Sequence, residues 1–139
     1  MDVFSVARHI SVSIHRSPAE VYAFAANPVN LPKWAKGLSG SIENVDGEWI
    51  ADSPMGRVKV RFAPKNDLGV LDHDVVLASG ETVHNPMRVV ANGQGSEVIF
   101  TLFRRAGVGD EDFAADARAV QRDLEALKEL LEGPSPRIR

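Results

Sequence analysis

From Arg8 to His15 the apolar residues Ile10, Val12 and Ile14 alternate with Ser11, Ser13 and His15, the period of two that a half-buried strand requires. Ser17-Pro18-Ala19-Glu20 then announces a helix. Ser17 can accept from the backbone near Glu20, Glu20 can reach back to the cap, and Pro18 suits a first helical position whose N–H would be unpaired. Val21, Tyr22, Phe24 and Ala25 follow at helical spacing until Pro28, which disfavours helix at Asn27 and ends the element. Asn30 to Lys36, carrying Leu31, Pro32 and Trp34, predicts a second short helical turn.

Beyond Gly37 the grammar is strand and turn. Extended runs are predicted over Ser39 to Val45, Glu48 to Asp52, Arg57 to Ala63, Gly69 to Ala78, Glu81 to Ala91 and Ser96 to Arg104. Asp46-Gly47, Pro54-Met55-Gly56, Ser79-Gly80 and Asn92-Gly93-Gln94-Gly95 are the turns between them. In Arg57-Val58-Lys59-Val60-Arg61-Phe62 the alternation is complete, with Val58, Val60 and Phe62 on one face and three cations on the other. Finally Phe113, Ala117, Val120, Leu124, Leu127 and Leu131 recur at four-three spacing, predicting an amphipathic helix of about twenty residues. Asp110, Glu111 and Asp112 suit its N-terminus, and Gly133-Pro134 supplies its stop. Grouped strands and one long helix to cover a sheet face give an α+β class. Residues 1–133 read as one domain and residues 134–139 as a short C-terminal tail.

Composition narrows the function more than the fold. The 139 residues include no cysteine, which removes disulfides, thiolate metal sites and a cysteine nucleophile, and makes a reducing cytoplasm the expected location. A net charge of -3 is the wrong sign for a surface that grips phosphates, so nucleic acid is not an expected partner. Nothing approaches the roughly 20 apolar residues of a membrane span, so integral membrane association is not expected either. His9 and His15 lie on a polar strand face without a ligand set, and no His-Glu-x-x-His motif, calcium loop, phosphate loop or nucleophile elbow is present. Neither metal nor cofactor is expected.

The order of elements, read with Ser17-Pro18-Ala19-Glu20-Val21-Tyr22-Ala23-Phe24, Asn30-Leu31-Pro32-Lys33-Trp34 and Gly95-Ser96-Glu97-Val98-Ile99-Phe100-Thr101, resembles the SRPBCC superfamily. That helix-grip group includes polyketide cyclases, the birch-pollen allergen and START-type steroidogenic lipid-transfer domains. Gly69-Val70-Leu71-Asp72-His73-Asp74 and Pro86-Met87-Arg88-Val89-Val90 look like a bacterial, polyketide-cyclase-like subgroup. The resemblance implies a curved seven-stranded antiparallel sheet wrapped around the long C-terminal helix, with two short helices between the first two strands. It also implies a cavity between sheet and helix, the default place for a ligand.

His73 is the titratable residue of most interest, because Leu71, His73, Val75 and Leu77 share the apolar face while Asp72 and Asp74 take the other. A cavity histidine can bind a carbonyl or act as general acid or base, and it can equally be a core histidine bonded to a neighbour. If Val83, Asn85, Met87 and Val89 face inward, His84 and Arg88 face out; a bulge at Pro86 would reverse one of them and bring Arg88 in as an anion partner. Trp34, which the resemblance sets at the cavity mouth, and Trp49 suit stacking on a hydrophobic ligand as well as ordinary packing. The ligand-binding set expected of such a cavity comprises Trp34, Trp49, Val60, Phe62, His73, Val75, Asn85, Met87, Arg88, Phe100, Val120 and Leu124, with His73 the catalytic candidate.

Three functions are compatible with these residues. The first is a binding domain for a hydrophobic small molecule such as a lipid, aromatic or polyketide-like compound. The second is a cyclase or dehydratase in which His73, with Arg88, moves a proton. The third is a protein-interaction module, resembling the heat-shock ATPase activators that share the fold, using the basic stripe Arg57, Lys59 and Arg61 or an exposed sheet edge. Sequence leaves monomer and homodimer both open.

Overall fold

The computed structural model describes residues 4–36 and 40–133. The elements run β1 (Ala7–Ile14), α1 (Pro18–Ala25), a 3₁₀ turn (Pro28–Asn30), α2 (Leu31–Trp34), β2 (Ser41–Val45), β3 (Glu48–Ser53), β4 (Gly56–Phe62), β5 (His73–Val76), β6 (Thr82–Asn85), β7 (Met87–Asn92), β8 (Gly95–Phe103) and α3 (Asp110–Glu132). The expected α+β order is present, with the second helix split into a 3₁₀ turn and a single α turn. The tail after Gly133, and the expected start of the second strand at Ser39, lie outside the described residues.

The capping box forms as its sequence requires: the Glu20 N–H donates to Ser17 Oγ at 3.2 Å, and the Ser17 N–H to Glu20 Oε1 at 3.4 Å. Asp46 (φ 53°) and Gly47 (φ 88°) both take left-handed geometry, the turn that joins two strands in two residues.

All strand pairs are antiparallel, in the orders β1-β8-β7 and β2-β3-β4-β5-β6. Among the described residues there are thus eight strands in two sheets, where seven in one sheet were expected. The extra boundary lies at Pro86. The run from Thr82 to Asn92 keeps one register against its partner throughout, His73 opposite Asn85 and Val70 opposite Arg88, but just past Pro86 the Met87 N–H leaves the ladder. Leu71 still donates to the Met87 carbonyl (2.8 Å) and Val89 to the Gly69 carbonyl (2.9 Å). The reciprocal bond is replaced at both ends. The Met87 N–H donates to Asp72 Oδ1 at 2.9 Å, and the Leu71 carbonyl lies 3.0 Å from His73 Nδ1. The bend thereby hands one chain from the five-stranded sheet to the three-stranded one with the Met87 N–H and the Leu71 carbonyl each given a side-chain partner. Gly69, at φ 73°, makes the approach possible, since a Cβ there would stand 2.2 Å from the Val89 carbonyl oxygen.

The inner rows of the three-stranded sheet are Ile10–Phe100–Met87 and Val12–Val98–Val89, and those of the five-stranded sheet include Trp49–Val60–Val75–Val83. α3 closes over this concave face with Phe113, Ala117, Leu124 and Leu127 buried and most of its charged residues outward. Its C-terminal end is tied to β1: Lys128 Nζ donates to the Ser13 carbonyl at 2.7 Å, and the His15 N–H donates to Glu132 Oε2 at 2.8 Å. Its beginning is held by Arg104, which donates to the Val108 carbonyl and to Asp110 at 2.7 Å each. With both ends fixed, the middle of α3 stands over the sheet at the level of His73 and Phe100.

Candidate functional site

A cavity of ≈ 230 Å³ lies between the sheet and α3. The deep wall is formed by buried residues: Trp34 and Ala35 from α2 and its end, His73 and Val75 from β5, Phe100 from β8 and Leu124 from α3. Val83 and Asn85 of β6, Leu102 and Val120 complete it. Toward solvent the wall passes to Met55 (52% exposed), Phe103 (40% exposed), Arg105, Asp116, Ala119 and Asp123, which mark the mouth.

His73 is only 4% exposed and is clamped on three sides. Its ring stacks on Phe62 (centroids 5.1 Å apart, planes at 29°) and meets Phe100 edge-on at 6.0 Å. A carbonyl can only accept, so the 3.0 Å contact with the Leu71 oxygen assigns the proton to Nδ1 and leaves Nε2 as a bare acceptor. Burial pushes the imidazole below its ordinary pKa, outweighing the carbonyl and the two aspartates beyond the sheet, so the ring is neutral at pH 7. Nε2 has no hydrogen-bond partner among the described residues. The cavity therefore contains a fixed, uncharged hydrogen-bond acceptor.

Its sequence neighbours do other work on the outer face. Asp74 accepts from His84 Nδ1 at 2.6 Å. Asp72 accepts from Arg88 Nε (3.1 Å) and Nη2 (2.8 Å) besides the Met87 N–H, and the arginine bond chiefly holds its carboxyl below the usual range.

Of the twelve expected ligand residues, Trp34, His73, Val75, Asn85, Phe100, Val120 and Leu124 meet around this cavity. Five do not. The strand passes Pro86 without a bulge, so Asn85 and Met87 face inward and Arg88 faces out, engaged by Asp72. Arg88 is thus no anion partner within the cavity. Met87 is inward but sealed in the core at 1% exposure. Trp49, Val60 and Phe62 share the concave face of the sheet, yet they border a separate hollow with Pro28, Lys59 and Arg61. Phe62 reaches the site only through the His73 ring that it backs.

Asp123 and Asp116 were not anticipated. Their signal was present: seven residues apart on α3, they flank the predicted apolar stripe and share the side of the helix that carries Ala119 and Val120. Asp123 has no hydrogen-bond partner among the described residues, and desolvation, opposed weakly by exposed Arg122, raises its pKa to about 6. Trp34 Nε1 is likewise a buried donor without a partner, on an indole 3% exposed.

The basic stripe is internally balanced. Arg57 pairs with Glu43 at 3.3 Å, Lys59 with Glu48 at 3.2 Å and Arg61 with Glu48 at 3.8 Å. No helix among the described residues is long and apolar enough to cross a membrane.

No protein-family model and no curated protein matches the chain. Solved structures do. The Aha1 dimer from Colwellia psychrerythraea superposes with a TM-score of 0.73 at 16% identity, covering 94% of this chain and 99% of that one. Ara h 8.0201 gives 0.65 at 17% identity over 91% and 97%. DynU16, a protein of the dynemicin biosynthetic locus, gives 0.67 at 14% identity over 91% of this chain and 47% of its own. At such identities the likeness is one of fold. With a curved antiparallel sheet closed over a long C-terminal helix, the chain has the helix-grip fold that its resemblance to the SRPBCC proteins implied.

Proposed function

We propose that the protein binds a small hydrophobic molecule in the cavity between its sheet and α3. The observation that carries this reading is the cavity itself. Protein interiors otherwise close to crystal-like density. Here the space is kept open, walled mainly by apolar side chains, and provided with the few fixed polar groups that orient a ligand. An apolar cavity of about 150 Å³ accepts one benzene ring, so this one suits one or two rings or a short branched chain. The fold shared with DynU16, a protein of a biosynthetic locus, and with Ara h 8.0201 fits a ligand-binding role.

Acid–base turnover has weaker support. His73 is oriented by a carbonyl instead of a carboxylate, its basicity is lowered by burial, and Arg88 is on the far face. An electrostatic protein partner has weaker support too, since Glu43 and Glu48 already occupy the basic stripe.

Native mass spectrometry of the purified protein, followed by denaturing extraction, tests the proposal. The expected result is a stoichiometric hydrophobic molecule or, from an empty protein, a thermal upshift with members of an aromatic and lipid panel. A ligand at about 100 times its Kd adds about 2.7 kcal/mol of stability, well within what a melt resolves. A ligand-free spectrum with a flat panel contradicts it.

A further inference from the structure

The polar groups of the cavity say which kind of hydrophobic molecule fits, an inference that rests on the binding role just proposed. Two acceptors await a donor, and one buried donor, Trp34 Nε1, awaits an acceptor; the charge in the wall is carried by the acceptor side. Asp123 stands in the wall on α3 with no hydrogen-bond partner among the described residues, and His73 Nε2, on a side chain more than nine-tenths buried, has none either. The cation nearest the mouth does not serve them: Arg105 is held by Glu81 through bonds of 2.8 and 3.2 Å, and its remaining influence falls on Asp116. Arg122, beside Asp123 in sequence, is exposed and lies outside the cavity wall. Arg88, the other arginine near His73, is on the outer face with Asp72.

We propose that the cavity takes a hydrophobic amine, its apolar body against Val75, Phe100 and Leu124 and its ammonium group on the Asp123 carboxylate at the mouth. A carboxylate ligand is correspondingly disfavoured, because it would place a second negative charge beside Asp116 and Asp123 where the only lining cation is already engaged. A neutral alcohol of the same shape keeps the apolar contact and loses the charge pairing.

Three matched probes, naphthylmethylamine, naphthylmethanol and naphthoate, titrated calorimetrically into the folded protein separate these cases. The amine is expected to bind about 10-fold tighter than the alcohol, as a partly desolvated charged hydrogen bond gives, and naphthoate weakest. Asp123→Asn, nearly isosteric, should bring the amine level with the alcohol and leave alcohol binding unchanged. Glu125→Gln, the same charge change at an exposed α3 position outside the wall, should preserve the amine preference. In the wild type the preference should fade as pH drops through about 6 and Asp123 takes up a proton, with neutral His73, Arg105 and Asp116 as the titratable groups facing it. Equal binding of amine and alcohol, an Asp123→Asn protein that keeps the preference, or tightest binding of naphthoate would each overturn the amine inference while the cavity reading stands. Failure of all three probes to bind would overturn both.

Discussion

Replacing Val120 by Trp is expected to abolish ligand binding and leave the protein folded. Val120 is on α3, in the wall of the cavity and between its buried floor and its mouth. It is half-buried, with open space before it. An indole there grows into space a ligand would occupy. Enlarging a well-packed core residue costs typically 1–3 kcal/mol through forced rotamers, and growth into a void avoids most of that. Excluding a single aromatic ring of ligand, by contrast, forfeits about 2–3 kcal/mol of apolar contact, about 30- to 150-fold in affinity. Calorimetric titration with naphthylmethanol beside a thermal melt reads both quantities. Undiminished affinity in a folded Val120→Trp protein would place the ligand elsewhere.

Asp72→Ala is expected to cost about 3 kcal/mol, or roughly 10 °C in Tm, because one carboxylate supports the bend at Pro86 in two ways. It takes the Met87 N–H that the bend leaves unpaired, and it holds Arg88 through two bonds. Arg88 is half-exposed, so the larger share of the loss comes from the stranded backbone donor. Asp72→Asn, which retains an acceptor for Met87 but no charge, should lose about half as much. The pH dependence has a definite sign. The folded-state pKa of Asp72 lies below 3.8, so the part of its contribution that depends on charge is complete above that value and is lost as pH falls through the folded pKa, while the neutral carboxyl still accepts from Met87. The stability difference between wild type and Asp72→Ala should therefore be constant near neutrality and shrink in strong acid. A chemical denaturation series at several pH values checks it. A difference that persists unchanged into strong acid would mean that the carboxylate charge is not what holds the bend.

The elements were legible because each is dictated locally. Alternation in Ile10, Val12 and Ile14, the Ser17/Glu20 box and the four-three stripe of α3 each depend on a period or a cap that few residues decide. The division of the sheet was half legible. Pro86 announced an irregular position, but that Asp72 and His73 would take up the two freed backbone groups depends on a partner segment thirteen or more residues away. The same limit governs the site. Val75, Asn85 and Phe100 face the cavity because strand parity says so, while Val60 and Met87 obey the same parity and are covered. Parity selects a face, and depth along that face depends on where α3 crosses, which its C-terminal end fixes through bonds to β1 more than a hundred residues away in sequence. Asp123 escaped notice for a related reason. A carboxylate at the border of an amphipathic stripe looks like a solvated one until the sheet beneath it is in place.

The measurement closest to the central claim is a methyl-resolved NMR titration of the wild-type protein with naphthylmethanol. Shifts and probe contacts confined to the methyls of Val75, Val83, Leu102, Val120 and Leu124, which surround the cavity, are the predicted result. Contacts concentrated instead on Val60 and the hollow beside Trp49, or on the outer face of the sheet at Val76 and Val90, would contradict it.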